Sequence, residues 1–339
     1  MNNLDQYSEN GKKKNQGDRK RIRSGTADEP LNLADFIWLD GELVPYEQAK
    51  IHFLSPTLHY GLGVFEGIRC YATERGPAVF RMKEHLQRFL NSIRVLGVED
   101  LTYDMDSLRD AVCRVIFANN LTECYVRTML YFEGPLGLNL DVYRPAVGIA
   151  VWEWDAYLGR EALENGARMM VSSVSRMHPN AGMTKAKFSG QYVNSILAKT
   201  IATRAGFDEA IMLDQEGFVN GCTGENLLLV INEVIYTPPR AVIMEGVTRD
   251  TILTLARDSG YTIVEEPVSR EQLYFADEVF VCGTAAEVVG VREIDYRPVG
   301  EGRIGPVTRD LQQQFSKVVR GRSSHYVDWL DYMVMEPLF

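Results

Sequence analysis

From Phe36 to Asp258 the chain alternates between short runs of strand character and amphipathic stretches with a helical repeat, which restricts it to an α/β or α+β architecture. Strand character begins at Ile37-Trp38-Leu39, turns at Asp40-Gly41 into Glu42-Leu43-Val44, and returns at Val64 to Tyr71 and Ala78 to Phe80. Leu86, Phe89, Leu90, Ile93 and Leu96 recur at helical spacing before Gly97, which predicts a helix over 83–97, and a second is expected over 106–119. Runs at Cys124 to Phe132 and Val147 to Trp152 close this half. The second half opens with Arg168 to Val174, followed by a helix over 191–204 with Val193, Ile196, Leu197 and Ile201 on one face. Strands at Ala210 to Leu213, Asn226 to Ile231 and Val234 to Tyr236 come next, then a helix over 248–258 capped by Thr248. The sequence has no internal repeat.

A length of 339 residues predicts two domains, with a small N-terminal one over 34–160 and a larger C-terminal one over 168–339. The first 33 residues stand apart. Residues 1–24 carry seven basic and three acidic side chains, a local charge of +4 against −14 for the rest of a chain whose total is −10. Residues 1–33 therefore read as a disordered basic leader with too little apolar surface to order itself. Its clusters resemble a nucleic-acid tail, but the acidic body would repel a phosphate backbone, so no nucleic-acid partner is expected. No run of 18 apolar residues occurs and the N-terminus lacks a signal-peptide pattern, so neither membrane insertion nor secretion is expected. Five cysteines without a C-x-x-C pair and five histidines without metal-ligand spacing predict no metal site and fit a reducing cytoplasm.

Several short segments combine polar residues with glycine beyond the needs of core packing. Gly246-Val247-Thr248 and Gly283-Thr284-Ala285-Ala286 are glycine turns that read as entries to helices, where exposed N–H groups and a hydroxyl hold phosphate or carboxylate. Lys187 lies between a Pro-Asn-Ala-Gly loop and the helix over 191–204; a lysine in a partly desolvated cleft can form a Schiff base, though a solvated lysine is the commoner reading. Arg88 projects opposite its helix's apolar stripe and, taken alone, reads as a surface arginine.

Taken together in order, from about residue 35 to 317, these segments resemble the class IV aminotransferases that use pyridoxal 5'-phosphate, most closely the branched-chain amino acid aminotransferases. The carriers are Ile37-Trp38-Leu39-Asp40-Gly41, His59-Tyr60-Gly61, Phe65-Glu66-Gly67-Ile68-Arg69, Glu84 to Arg88, Tyr125-Val126-Arg127, Lys187 to Tyr192, Gly224-Glu225-Asn226, Gly246 to Asp250 and Gly283 to Glu287. The resemblance implies a two-domain fold with the cofactor between a smaller N-terminal and a larger C-terminal domain. It also implies transamination of a branched-chain amino acid with 2-oxoglutarate, and a homodimer or higher oligomer whose subunits complete each other's pockets. By the same resemblance Lys187 is the Schiff-base lysine and proton shuttle, with Lys185 a bystander. Arg88, Val247, Thr248 and Thr284 form the phosphate cup, and Tyr192 bonds the cofactor's 3'-oxygen. Tyr125 and the backbone of Ala285 and Ala286 hold the substrate's α-carboxylate. Tyr60, Phe65, Trp154 and Tyr157 wall an aliphatic pocket, and Arg127 takes glutamate's distal carboxylate.

One position departs from the family pattern. A glutamate that pairs with the pyridine nitrogen belongs at Gly221, and the spacing from Lys187 is intact. Removing one partner of a buried charged pair costs about 3–5 kcal/mol, enough to slow transamination by roughly two to four orders of magnitude. Glu225 is shared with the family and so is no obvious substitute, while Asp214 and Glu216 are expected in the turn before Phe218. On this reading Gly221→Glu is expected to raise transamination. A diverged homologue with another reaction, or a catalytically silent binding protein, stands as the alternative.

Overall fold

The computed structural model describes residues 34–333; the expected leader lies outside them. The first sheet contains β1 (Phe36–Leu39), β2 (Glu42–Pro45), β3 (Val64–Thr73), β4 (Gly76–Phe80), β5 (Cys124–Glu133) and β6 (Arg144–Trp152). The second contains β7 (Ala167–Val171), β8 (Glu209–Leu213), β9 (Val219–Cys222), β10 (Asn226–Ile231), β11 (Val234–Thr237), β12 (Thr262–Glu265), β13 (Glu278–Gly283), β14 (Glu287–Ile294) and β15 (Arg297–Pro298). A last strand, β16 (Leu330–Tyr332), returns to the first sheet, whose order β16-β4-β3-β5-β6-β1-β2 is antiparallel at every joint. The second sheet is mixed, with β11–β12, β14–β7 and β7–β8 parallel. Sheets and helices thus combine in a mixed α/β (α+β) arrangement, in which β16, from the range 168–339, pairs with the sheet of the first half.

The elements follow from local rules. Helix Met82–Leu96 buries Leu86, Phe89 and Ile93 and stops at Gly97 in the left-handed conformation. Helix Met105–Ala118 starts with a capping box, Asp104 and Ser107 each satisfying the other's backbone N–H. β3 and β5 are buried along most of their length, because one face packs on these helices and the other faces the second half. One core cluster is shared between the halves: Tyr71, Ala78 and Phe80 of the first sheet pack with Leu228, Ile252, Phe280, Phe315 and Leu330.

Helix Tyr192–Arg204 inverts the expectation from its periodicity. Ser195, Ala198 and Ala202 face the core, while Val193, Ile196, Leu197 and Ile201 are exposed, Ile196 at 63%. Small residues let the helix lie close to the neighbouring β8, and the large apolar stripe is left outside.

Candidate active site

A cavity of about 290 Å³ opens between the two sheets. Its first wall comes from β3 and β5, where Phe65, Tyr125 and Arg127 face inward, and Gly67 makes room for Tyr125: a Cβ there would lie 1.8 Å from the phenolic oxygen. Trp154 and Tyr157 continue this wall, with the Tyr125 and Trp154 rings 4.7 Å apart and those of Trp154 and Tyr157 5.7 Å apart. The Arg127 guanidinium lies 4.5 Å from the centre of the Phe65 ring, and its Nε is buried without a partner among the described residues.

Lys187 reaches the cavity from a backbone fixed on both sides. Its N–H donates to Ser92 Oγ at 3.0 Å and its carbonyl accepts from Phe65 N at 3.1 Å, so the side chain is aimed by β3 and helix Met82–Leu96 together. Nζ lies 4.5 Å from the centre of the Phe65 ring and hydrogen-bonds the Tyr192 hydroxyl. Lys185, by contrast, points to Glu245 at 2.9 Å and is half-exposed outside the cavity.

One end of the cavity is rich in donors. Helix Val247–Asp258 begins there, with Gly246 at its N-cap and no side-chain capping bond, so Val247 and Thr248 bring first-turn N–H groups and a hydroxyl to the lining. Two buried arginines hold that helix start: Arg249 bonds Glu265 and the Pro238 carbonyl, and Arg81 from the first half bonds Asp250 and Thr251. Arg88 lies alongside, not on the surface. Its Nε and Nη2 grip both oxygens of the fully buried Glu66 at 2.8 and 2.7 Å, and Nη1 donates to the Glu245 carbonyl. Although burial alone would raise it, the Glu66 carboxyl is held well below the usual range by Arg88 and His85. An arginine, open helix N–H groups and the hydroxyls of Thr248 and Thr284 form a donor set suited to a phosphate monoester. Thr184 Oγ1, buried in the lining without a partner among the described residues, is a further unused polar atom.

The turn Thr284-Ala285-Ala286 closes the cavity and is held from the first half. Arg69 bonds the carbonyls of Ala285, Trp154 and Asp155 at 3.1–3.3 Å and Glu287 Oε1 at 3.1 Å. Glu287 takes a positive φ of 59°, fixed by Arg69 and by Tyr71 OH at 3.0 Å.

Two nominated residues do not line this cavity. Tyr60 ends the short helix Pro56–Tyr60 and is 46% exposed, because Gly61, with φ 65°, turns the chain before β3 reaches the interior. Gly221 sits in β9 beside the cavity, and its backbone leaves little room for a side chain: φ is 149° and a Cβ would lie 2.7 Å from the Glu225 carbonyl oxygen. Asp214 and Glu216 occupy the turn between β8 and β9, as expected. Sequence reasoning gave no role to Glu66, although it stands inside a quoted motif, and missed Arg176 and Thr184, which no local pattern marks.

A family model described as amino-transferase class IV matches residues 63–294. The chain is 44% identical to a branched-chain-amino-acid aminotransferase of Pseudomonas aeruginosa, over 88% of this chain and 98% of that protein. It is 45% identical to the Escherichia coli K12 protein of the same name, over 88% and 97%. The structure resembles a branched-chain amino acid aminotransferase crystal structure from E. coli, with a TM-score of 0.87, 44% identity and coverage of 89% and 100%. It also resembles a T.th. branched-chain amino acid aminotransferase with pyridoxamine 5'-phosphate, with a TM-score of 0.86, 46% identity and coverage of 89% and 99%.

Proposed function

The chain belongs to the class IV aminotransferases, and from that premise we propose that it transfers the amino group of branched-chain L-amino acids to 2-oxoglutarate, using pyridoxal 5'-phosphate. The observation that carries the reading is the convergence on one cavity of Lys187, Tyr192, Arg88, Val247, Thr248 and Thr284 with an aromatic wall. The cofactor, when bound, supplies the electron sink that makes the substrate's Cα–H acidic. Arg88, the helix start at Val247-Thr248 and Thr284 bind its phosphate. Lys187 Nζ would serve as the nucleophile and then as carrier of the Cα proton, its bond to the Tyr192 hydroxyl orients it, and Tyr192 would hold the cofactor's 3'-oxygen. Tyr125 and the Ala285-Ala286 backbone orient the α-carboxylate. Phe65, Trp154 and Tyr157 accept an aliphatic side chain, while Arg127, with its unused Nε, accepts the distal carboxylate of glutamate.

A second copy of the chain is part of this reading. Phe53, Leu58, Val193, Ile196 and Leu197 are all more than half exposed, three of them on one helix, Tyr192–Arg204. A homodimer, or a higher oligomer built from it, would cover these residues and bring the outlying Tyr60 to the partner's pocket. Five free cysteines accord with a cytoplasmic setting. The smaller domain over 34–160 and the larger cofactor-binding domain over 168–339 would then meet at the catalytic cavity.

Gly221 supports a second reading, in which transamination is slowed or gives way to a reaction that asks less of the ring nitrogen. The deciding experiment incubates the purified protein with pyridoxal 5'-phosphate, reduces it with borohydride and maps the label, then assays leucine, isoleucine and valine with 2-oxoglutarate. Label on Lys187 and measurable turnover are expected, with Arg127→Leu impairing glutamate and 2-oxoglutarate at least tenfold more than leucine. Label without turnover favours the second reading; no label refutes both.

A further inference from the structure

Beside Gly221 the structure holds four ionisable side chains that the proposed reaction leaves unused: Glu225, Glu209, Lys199 and Arg176. Glu209 is fully buried and fully committed. Its Oε1 accepts from Thr223 Oγ1 at 2.8 Å and Ala210 N at 2.7 Å, and its Oε2 from Lys199 Nζ at 2.6 Å. Glu225 is 6% exposed and lines the cavity. Its Oε2 accepts from Gly224 N at 3.1 Å, and Oε1 has no hydrogen-bond partner among the described residues.

Burial and the neighbouring Glu209 charge push the Glu225 carboxyl up to about 8, with Lys199 and Arg176 drawing it back only in part. That direction favours the protonated form of Glu225, and a protonated carboxyl with an oxygen free in the cavity lining can serve as a hydrogen-bond donor. Only two carboxyl side chains line the cavity among the described residues, and the other, Glu66, is spent on Arg88. Glu225 also belongs to the same turn as position 221. Its carbonyl accepts from Cys222 N at 2.9 Å, and the Cys222 carbonyl in turn accepts from Arg176, a cation with no carboxylate within 4.0 Å among the described residues.

We propose that Glu225 donates to the cofactor's ring nitrogen the hydrogen bond that no side chain at position 221 can supply. This rests on the functional reading above, since it requires pyridoxal 5'-phosphate in the cavity. It differs from the family arrangement in kind: a neutral acid donating to a ring nitrogen replaces a carboxylate paired with a protonated one. Arg176 favours that form, because a buried cation beside the turn disfavours a second positive charge on the ring.

The test loads pyridoxal 5'-phosphate labelled with ¹⁵N in the ring onto the wild-type protein, Glu225→Leu and Glu225→Gln, and records the nitrogen resonance, with the visible band of the bound cofactor as the check on loading. Loss of the donor in Glu225→Leu is expected to move the resonance downfield, toward the free-base position. Glu225→Gln, equal in size but a weaker donor, is expected to move it less, and it carries the test if the leucine variant does not fold. An unmoved resonance in loaded variants overturns the assignment and leaves the functional reading intact. A wild-type protein that binds no cofactor overturns both.

Discussion

At the scale of single residues, the cavity shows how much a local conformation can forbid. Gly221 has a φ of 149°, where residues with a side chain are strained by about 1–3 kcal/mol, and a Cβ only 2.7 Å from a carbonyl oxygen adds a steric cost of similar size. Gly221→Glu should therefore lose about 2–5 kcal/mol of stability in urea denaturation, and Gly221→Ala nearly as much, because the first carbon is already the problem. A glutamate variant as stable as the wild type, with raised activity, would show that the turn adapts. That a carboxylate belongs at this position was an implication of the family resemblance; Lys187 and Gly224-Glu225-Asn226 only helped to place it, by bracketing the position. The turn's geometry was not legible in the sequence, because it depends on the pairing of β8 with β9 and the register shift between Met212 and Leu213. Arg88 shows the same limit from the other side: its helical phase says only that it leaves the apolar stripe, while Glu66, 22 positions earlier, decides that it turns inward.

At the scale of elements, periodicity locates helices and strands but does not say which side of a helix is covered. The helix anticipated over 191–204 is present as Tyr192–Arg204, yet its buried side is Ser195, Ala198 and Ala202. The exposed stripe of Val193, Ile196, Leu197 and Ile201 gives a prediction for this element. Ile196→Asp changes an exposed position, so monomer stability should move by no more than about 0.5 kcal/mol, whereas a charge buried against a second copy should shift the protein from dimer to monomer. Analytical ultracentrifugation at micromolar concentration, with far-ultraviolet circular dichroism as the control for folding, reads both. A wild-type monomer, or a variant that dimerises as well as its parent, would count against a dimer through this face. Sequence pattern identified neither helix Pro306–Val319 nor β16, although the helix buries Leu311 and Phe315 in the shared core. β16 is only three residues long, too short for an alternation to show.

At the scale of the whole molecule, the two halves are joined by more than the cavity they enclose. Phe80 packs its ring 5.8 Å from Phe315 and 6.2 Å from Trp329, and β16 hydrogen-bonds β4, so Trp329 and β16 close a core to which β4 contributes. Arg69 and Arg81 carry the same connection in polar form, each rooted in the first half and bonded to a cavity wall in the second. Two domains separated by a connector would be expected to unfold in two steps, whereas halves that share a core cluster should unfold together. Calorimetry is accordingly expected to show one endotherm for the protein without cofactor. A ligand bound to residues from both halves cannot remain bound when either one opens, so pyridoxal 5'-phosphate should raise that single transition and leave it undivided. At a free concentration 100 times its dissociation constant the gain is about 2.7 kcal/mol, roughly 4 °C for a chain of this size. Arg88→Ala, which removes the proposed phosphate donor and strands the buried Glu66 charge, should lower the transition without cofactor and also reduce the ligand-induced rise. Two endotherms, only one of them moved by the ligand, would place the cofactor on one half alone and contradict the shared cavity.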